Sequence, residues 1–175
     1  MCEPFMLART GLTSRQHQER TVANLLELRA LAPDLPFVPV LQGWGLADYV
    51  HRCVELYERA GVHLRTEPMV GLGSICRRQS TGEIHAIVES LSCLGLRLHG
   101  FGVKTSGLGR YAEHLASADS LAWSYHARRS EPLPGCGHRN CANCLRYALR
   151  WRDQVLDRLG RVQLSLPIAG WEAAG

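Results

Sequence analysis

The sequence has almost no lysine, no long apolar run and no low-complexity tract, and each absence excludes something. No stretch reaches the roughly 18 apolar residues that a membrane-spanning helix needs. No charged start runs into an apolar segment, as a signal peptide would. Neither a membrane nor a secreted protein is indicated, and the expected location is cytoplasmic. In that compartment the seven cysteines read as thiols or metal ligands rather than as disulfides. Of the 20 basic residues only Lys104 is a lysine, and the net charge is +4. Arginine suits a phosphate-bearing partner because guanidinium binds phosphate bidentately, although a solvated basic surface would account for the same charge. With 46% hydrophobic and 21% charged residues over 175 positions, the chain is not disordered by composition and can bury the core of one ordinary domain.

A repeated pattern organises the chain. Thr13-Ser-Arg-Gln16 is a capping box opening a helix that Pro33 stops, with Val22, Leu25, Leu26 and Leu28 toward one side. FVPVLQGW, residues 37–44, reads as a buried strand. It is followed by a helix with Val50, Cys53, Val54 and Tyr57 on one face and Gly61 at its end. The unit then recurs. MVGLGSI predicts a strand, and Ser80-Thr-Gly-Glu83 starts a helix whose stripe is Ile84, Ile87, Val88 and Leu91. LRLHGFGV predicts a third strand, before a helix with Leu108, Tyr111, Ala112 and Leu115, and SLAWS, residues 120–124, predicts a fourth. Strand, polar loop and amphipathic helix in this rhythm predict an α/β fold with a parallel sheet. Four strands cannot close a barrel, so half of a (β/α)8 barrel and a small open sheet are the alternatives. In either case the C-terminal ends of the strands are where ligands bind. The expected organisation is 1–130 for this unit, 131–160 for a loop and a long helix, and 161–175 for a loosely held tail.

Several residues could carry chemistry. Cys136, His138, Cys141 and Cys144 offer three thiols and an imidazole within nine residues. That set suits tetrahedral zinc with no open position, hence a structural metal; His126 could replace His138 as the nitrogen ligand. Cys53, Cys76 and Cys93 stand singly in apolar segments and read as small core residues. Gly71-Leu-Gly73 and Gly100-Phe-Gly102 would let a flat ligand approach the backbone. The amide of Gln42 suits a base edge or merely water. His99 reads as a core histidine. Arg77, Arg78, Arg128 and Arg129 follow predicted strands and either grip phosphates or are solvated. Asp119 precedes the predicted fourth strand, where an aspartate is commonly a turn or cap residue.

Taken in order, FVPVLQGW, VGLGSI, LHGFGV and ADSLAWSYHARR with the cysteine cluster resemble the queuine-type tRNA-guanine transglycosylase superfamily. More closely, the run from Met1 to about Leu159 resembles its DpdA-type deazapurine DNA modification proteins. The resemblance implies a (β/α)8 TIM-barrel type fold, here an N-terminally truncated barrel of the last four βα units with a C-terminal zinc-binding segment. It implies exchange of guanine in DNA for a 7-deazaguanine derivative such as 7-cyano-7-deazaguanine. It puts Asp119 on the family's nucleophilic aspartate, through a covalent aspartyl-nucleotide intermediate. It puts Gln42, Gly71, His99 and Gly100 on the base-binding motifs, with His99 in place of a methionine.

Two features depart from the family pattern. Its zinc ligands are usually Cys-x-Cys-x2-Cys with a distant histidine, whereas here His138 and Cys144 would complete the set. Its purine-binding aspartates are not in this sequence, and Met1-Cys-Glu-Pro4 resembles the continuation of the second of them. The expectation is therefore that the first barrel strands precede Met1. Duplex DNA is the expected substrate, with other DNA-modification proteins and a homodimer through an exposed sheet edge as partners. Two other readings stand beside this one: the same chemistry on tRNA, and a non-catalytic, zinc-containing nucleic-acid-binding accessory subunit.

Overall fold

The structure is a computed structural model in which residues 2–160 are described. The expectation for the tail concerns residues 161–175, outside the described residues. The elements are α1 (Pro4–Thr10), α2 (Ser14–Leu31), β1 (Val40–Leu41), α3 (Val54–Arg59), β2 (Val70–Leu72), α4 (Gly82–Cys93), β3 (Leu98–Gly100), α5 (Thr105–Tyr111), β4 (Ser117–Ala118), α6 (Ala122–Ala127) and α7 (Leu145–Arg158). A wider π-helical turn, Asp48–Cys53, leads into α3. The four strands pair parallel in the order β1-β2-β3-β4. Each strand therefore lies beside the next one in sequence, with the intervening helices as crossovers.

Local chemistry sets the helix starts. The hydroxyl of Thr13 accepts from the Gln16 N–H while the Gln16 side chain accepts from the Thr13 N–H, so the capping box is complete. At α4 the cap is Thr81, whose hydroxyl accepts from Ile84 N–H. Ile84, Ile87, Val88 and Leu91 are all buried there, as their spacing predicts. On α2 only Val22 and Leu25 reach the core, while Leu26 and Leu28 remain exposed. The buried amide of Gln18 donates from Nε2 to the carbonyls of Gln42 (2.7 Å) and Asp48 (3.0 Å), tying α2 to the end of β1. Arg29 forms a bidentate pair with Glu67 at 2.9 and 2.7 Å, fastening the same helix to the segment before β2.

The main core is the packing of these helices on one sheet face. Leu41, Val70, Leu72 and Leu98 from the strands meet Tyr49, Tyr57, Ile87, Leu91 and Tyr111, all fully buried. Each aliphatic side chain so buried contributes about 1.5–3 kcal/mol.

Three expectations are corrected. Residues 120–124 are not a strand; β4 is Ser117–Ala118 and the following segment is α6. Ser124 and Ala127 are buried and Trp123 packs beside Ala127, while Leu121 and Tyr125 face outward. That is a helical division of faces, which the β-prone composition conceals. Cys93 is exposed rather than a core residue, whereas Cys53 is buried and Cys76 half-buried. The strands are also shorter than their apolar runs. Ladder pairing ends at Leu41, Leu72 and Gly100, and the residues beyond turn into loops.

Candidate active site and metal cluster

Strand register decides which residues share a face. Val40 pairs with Gly71, Gly71 with His99, and His99 with Ser117. Those four therefore point away from the helices, while the next row, Leu41, Leu72, Gly100 and Ala118, points toward them. Phe101 and Asp119 lie two residues beyond His99 and Ser117 and keep the face of that first row. Asp119 thus stands just past the C-terminal end of β4, not at the front of a strand.

The contacts bear this out. The Asp119 backbone N–H donates to the Gly100 carbonyl at 3.2 Å, continuing the ladder by one bond. Its Oδ1 accepts from Gly102 N–H at 2.6 Å and lies 3.7 Å from Nε2 of His99. Gly102 has φ of 66°, a left-handed conformation that aims this N–H at the carboxylate and favours glycine. The Asp119 side chain is 59% exposed, so its remaining oxygen is open to a ligand. His99 is fixed on its other side: Nδ1 bonds Ser117 Oγ at 2.7 Å, and that hydroxyl faces Met69 Sδ at 3.8 Å. Phe101 meets the His99 ring edge-on at 4.7 Å and is 38% exposed. A Cβ on Gly71 would come within 2.4 Å of the Phe101 ring, so the ring lies directly on this glycine.

Among the residues expected at a base site, His99, Gly71 and Asp119 are therefore brought together, with Gly100 joined through its carbonyl. Gly100 itself faces the helical core, where a Cβ would meet Val103 at 2.7 Å. Gly71 N–H is engaged by the Pro39 carbonyl at 2.8 Å. Gln42 turns elsewhere, its amide Nε2 donating to Thr21 of α2. Ser117 is an addition that the sequence reading missed, and the contacts of Phe101 and Gly102 give specific roles within the Gly100-Phe-Gly102 stretch. Alternate positions counted back from Asp119 could have found Ser117.

The arginines divide. Arg78 is packed on Trp44 with its guanidinium carbon 3.6 Å from the ring centroid, bonds the Trp44 carbonyl at 2.6 Å and pairs with Glu83 at 2.7 Å. It clamps the loop after β1 to the loop after β2. Arg77 is exposed, lies over Phe5 at 4.2 Å, and is 3.8 Å from buried Glu3. Arg129 stacks on Tyr125 at the end of α6, and Arg128 beside it is exposed.

The second constellation lies between α6 and α7. The ligand atoms of Cys136, His138, Cys141 and Cys144 all fall within 4.8 Å of one another, so this group could hold a metal ion. Three sulfurs and one nitrogen fit zinc, whose metal–sulfur distance of about 2.3 Å puts tetrahedral ligands about 3.8 Å apart. Cys144 precedes α7, and the backbone N–H of Tyr147 holds its thiol below the ordinary value, favouring the thiolate that binds metal. His138 Nε2 approaches Cys141 Sγ at 3.1 Å, and Cys141 also accepts from Leu133 N–H at 3.3 Å. His126 is not in the group, and its Nδ1 is engaged by Tyr147 and by Ser130. The nitrogen placed with the three sulfurs is that of His138.

Among the described residues no helix is long and apolar enough to cross a membrane. The family model for DpdA, DeoxyPurine in DNA protein A, matches residues 1–175. No curated protein and no solved structure matches the chain.

Proposed function

We propose, from the premise that this chain belongs to the DpdA family, that it replaces guanine in DNA by a 7-deazaguanine derivative, with Asp119 as the nucleophile. Membership implies a role in deazapurine modification of DNA; the pentosyl-transfer chemistry is our reading. The observation that carries it is the position of Asp119. It is an exposed carboxylate at the C-terminal edge of a parallel sheet, fixed by Gly102 N–H with one oxygen left free.

In this reading that carboxylate attacks the anomeric carbon of the target nucleotide. The carbon–nitrogen bond breaks through an oxocarbenium-like transition state, and a covalent aspartyl-nucleotide forms. The incoming 7-deazaguanine attacks the same carbon and releases Asp119. The target base must leave the stack to reach the sheet face. Phe101, lying on Gly71, supplies a flat apolar floor for it, and His99 borders the base. Arg77, Arg128 and Arg129 are the phosphate contacts, with Arg78 ordering the loops beneath them. The sequential parallel strands are an arc of a (β/α)8 barrel. The Cys136, His138, Cys141 and Cys144 group holds a structural zinc, since four protein ligands leave no position for water.

The test is exchange of labelled guanine into duplex DNA and, in parallel, into tRNA. Asp119→Asn should lower exchange into DNA by at least about a thousandfold with metal content unchanged. Exchange retained by that variant would remove Asp119 from the mechanism. Exchange into tRNA alone would reassign the substrate, and binding without exchange would make the chain an accessory subunit.

A further inference from the structure

We infer that His99 is the proton carrier of the exchange, giving a proton to the departing base and taking one from the incoming base. The inference rests on the transglycosylase reading above and adds a second catalytic residue to it.

Three observations lead here. First, among the described residues His99 is the ionisable side chain recorded against the Asp119 carboxylate, with Nε2 at 3.7 Å. Second, its ring is held from behind. If Ser117 gives its one hydroxyl proton to Met69 Sδ, at 3.8 Å, its oxygen must accept from His99 Nδ1–H, at 2.7 Å. Nε2 is then the nitrogen that gains and loses the proton, and it is the one that faces Asp119. Third, the reach is right. Attack at about 3 Å on a carbon whose bond to the base is about 1.5 Å long puts the leaving nitrogen about 4.5 Å from the attacking oxygen. A donor 3.7 Å from that carboxylate can come within about 3 Å of the leaving nitrogen, which is hydrogen-bond distance.

The bookkeeping closes over one cycle. As Asp119 bonds to the anomeric carbon, the electron pair of the carbon–nitrogen bond goes to the guanine, which takes the proton from Nε2–H and leaves neutral. His99 is then a neutral imidazole. The incoming 7-deazaguanine gives its ring N–H proton to Nε2 as that nitrogen attacks the carbon, and the carbon–oxygen bond to Asp119 breaks with its pair returning to the carboxylate. Enzyme charge and protonation are restored with no further reactant. The acid of the first half is regenerated as the base of the second. One titratable group suffices because the two half-reactions are near mirror images.

The experiment is single-turnover release of base from DNA by stoichiometric native protein, with ordinary guanine and with N7-methylguanine at the target. The methylated base already carries a positive charge in the nucleotide, so on taking the bond pair it departs neutral without a proton. The 7-position is where the incoming base carries its substituent, so the methyl group has room. His99→Gln keeps a donor toward Ser117 but cannot shuttle a proton. It should lose about a hundredfold on guanine and less than about threefold on N7-methylguanine. Ser117→Ala, a positioning change, should lose about tenfold on guanine and again little on the methylated base. Retained release of the methylated base also shows that each variant is folded. Equal losses by His99→Gln on both bases would mean that the ring only shapes the site, and no loss on either would mean that it is not used; both overturn the inference. Asp119→Asn must abolish release of both bases, and if it does not, the transglycosylase reading fails rather than the role of His99.

Discussion

Residues 2–119 and residues 120–160 solve the same problem by different means. The first region gathers twenty buried apolar side chains in one cluster on the helical face of the sheet. The second gathers only Ala127, Cys141 and Tyr147 in its buried cluster, with a few half-buried neighbours, and buries Ala142 and Val155 outside it. Forty residues or so cannot remove enough apolar surface from water to offset the chain entropy lost on folding. Four side chains placed to share one metal ion would supply the missing constraint. Charge divides along the same line. Residues 1–119 carry twelve basic and twelve acidic side chains, whereas 120–160 carry seven arginines against Glu131, Asp153 and Asp157. The entire formal excess of +4 thus sits in the smaller region. The carboxylate proposed as nucleophile belongs to the neutral unit, and two of the three arginines proposed as phosphate contacts, Arg128 and Arg129, belong to the basic one.

The difference has measurable consequences, of which the largest is metal dependence. Cys141→Ser, or a strong chelator, should abolish metal binding and remove hydrogen-exchange protection from α7, because structural zinc is worth about 10–16 kcal/mol in small zinc domains. Amides of β2 and α4 should keep their protection; loss of both together would show that the two regions are one cooperative unit. In the opposite direction, Leu72→Ala should cost about 2–5 kcal/mol in denaturant unfolding by leaving a cavity in the main core, with metal content unchanged.

Smaller effects test the site and the charge. Gly102→Ala places a side chain at φ of 66° and 3.3 Å from the Cys76 Cβ, at a cost of about 1–2 kcal/mol. Because the same peptide donates to Asp119, exchange should fall about tenfold. An unchanged rate would show that this bond does not orient the carboxylate. Replacing Arg128 and Arg129 by alanine should lower the slope of log affinity against log salt for DNA by about 2, with uniform weakening across sequences. Arg78→Met is the control: it should lower stability but leave the slope alone, since the guanidinium is spent on Trp44 and Glu83.

Much of this was legible from local pattern, and the exceptions have a common cause. The capping box at Thr13, the stripe of α4 and the clustered cysteines each depend on residues a few positions apart, so spacing alone identifies them. The four βα units were readable for the same reason. Residues 120–124 misled because a short stretch with Leu121 and Trp123 among small residues reads as an alternating strand, and only packing against α7 shows that the buried set repeats as a helix does. Asp119 was visible as a candidate nucleophile through resemblance, but its surroundings were not. The facts that matter for it are a bond from Gly102, 17 positions away, and the approach of His99, 20 positions away. Gln42 illustrates the converse, since a residue in the right motif is held by Thr21 of the preceding helix.

The sequence by itself determined the periodicities, the helix caps, the donor set for a metal and the excess of arginine, because each is a property of neighbouring residues. Tertiary structure alone decided which glycine lies under Phe101, which histidine joins the cysteines and which faces the carboxylate. It also decided which arginines remain free. Those outcomes depend on strand register, where a shift of one residue exchanges the two faces of the sheet, and register is fixed only when the whole core packs.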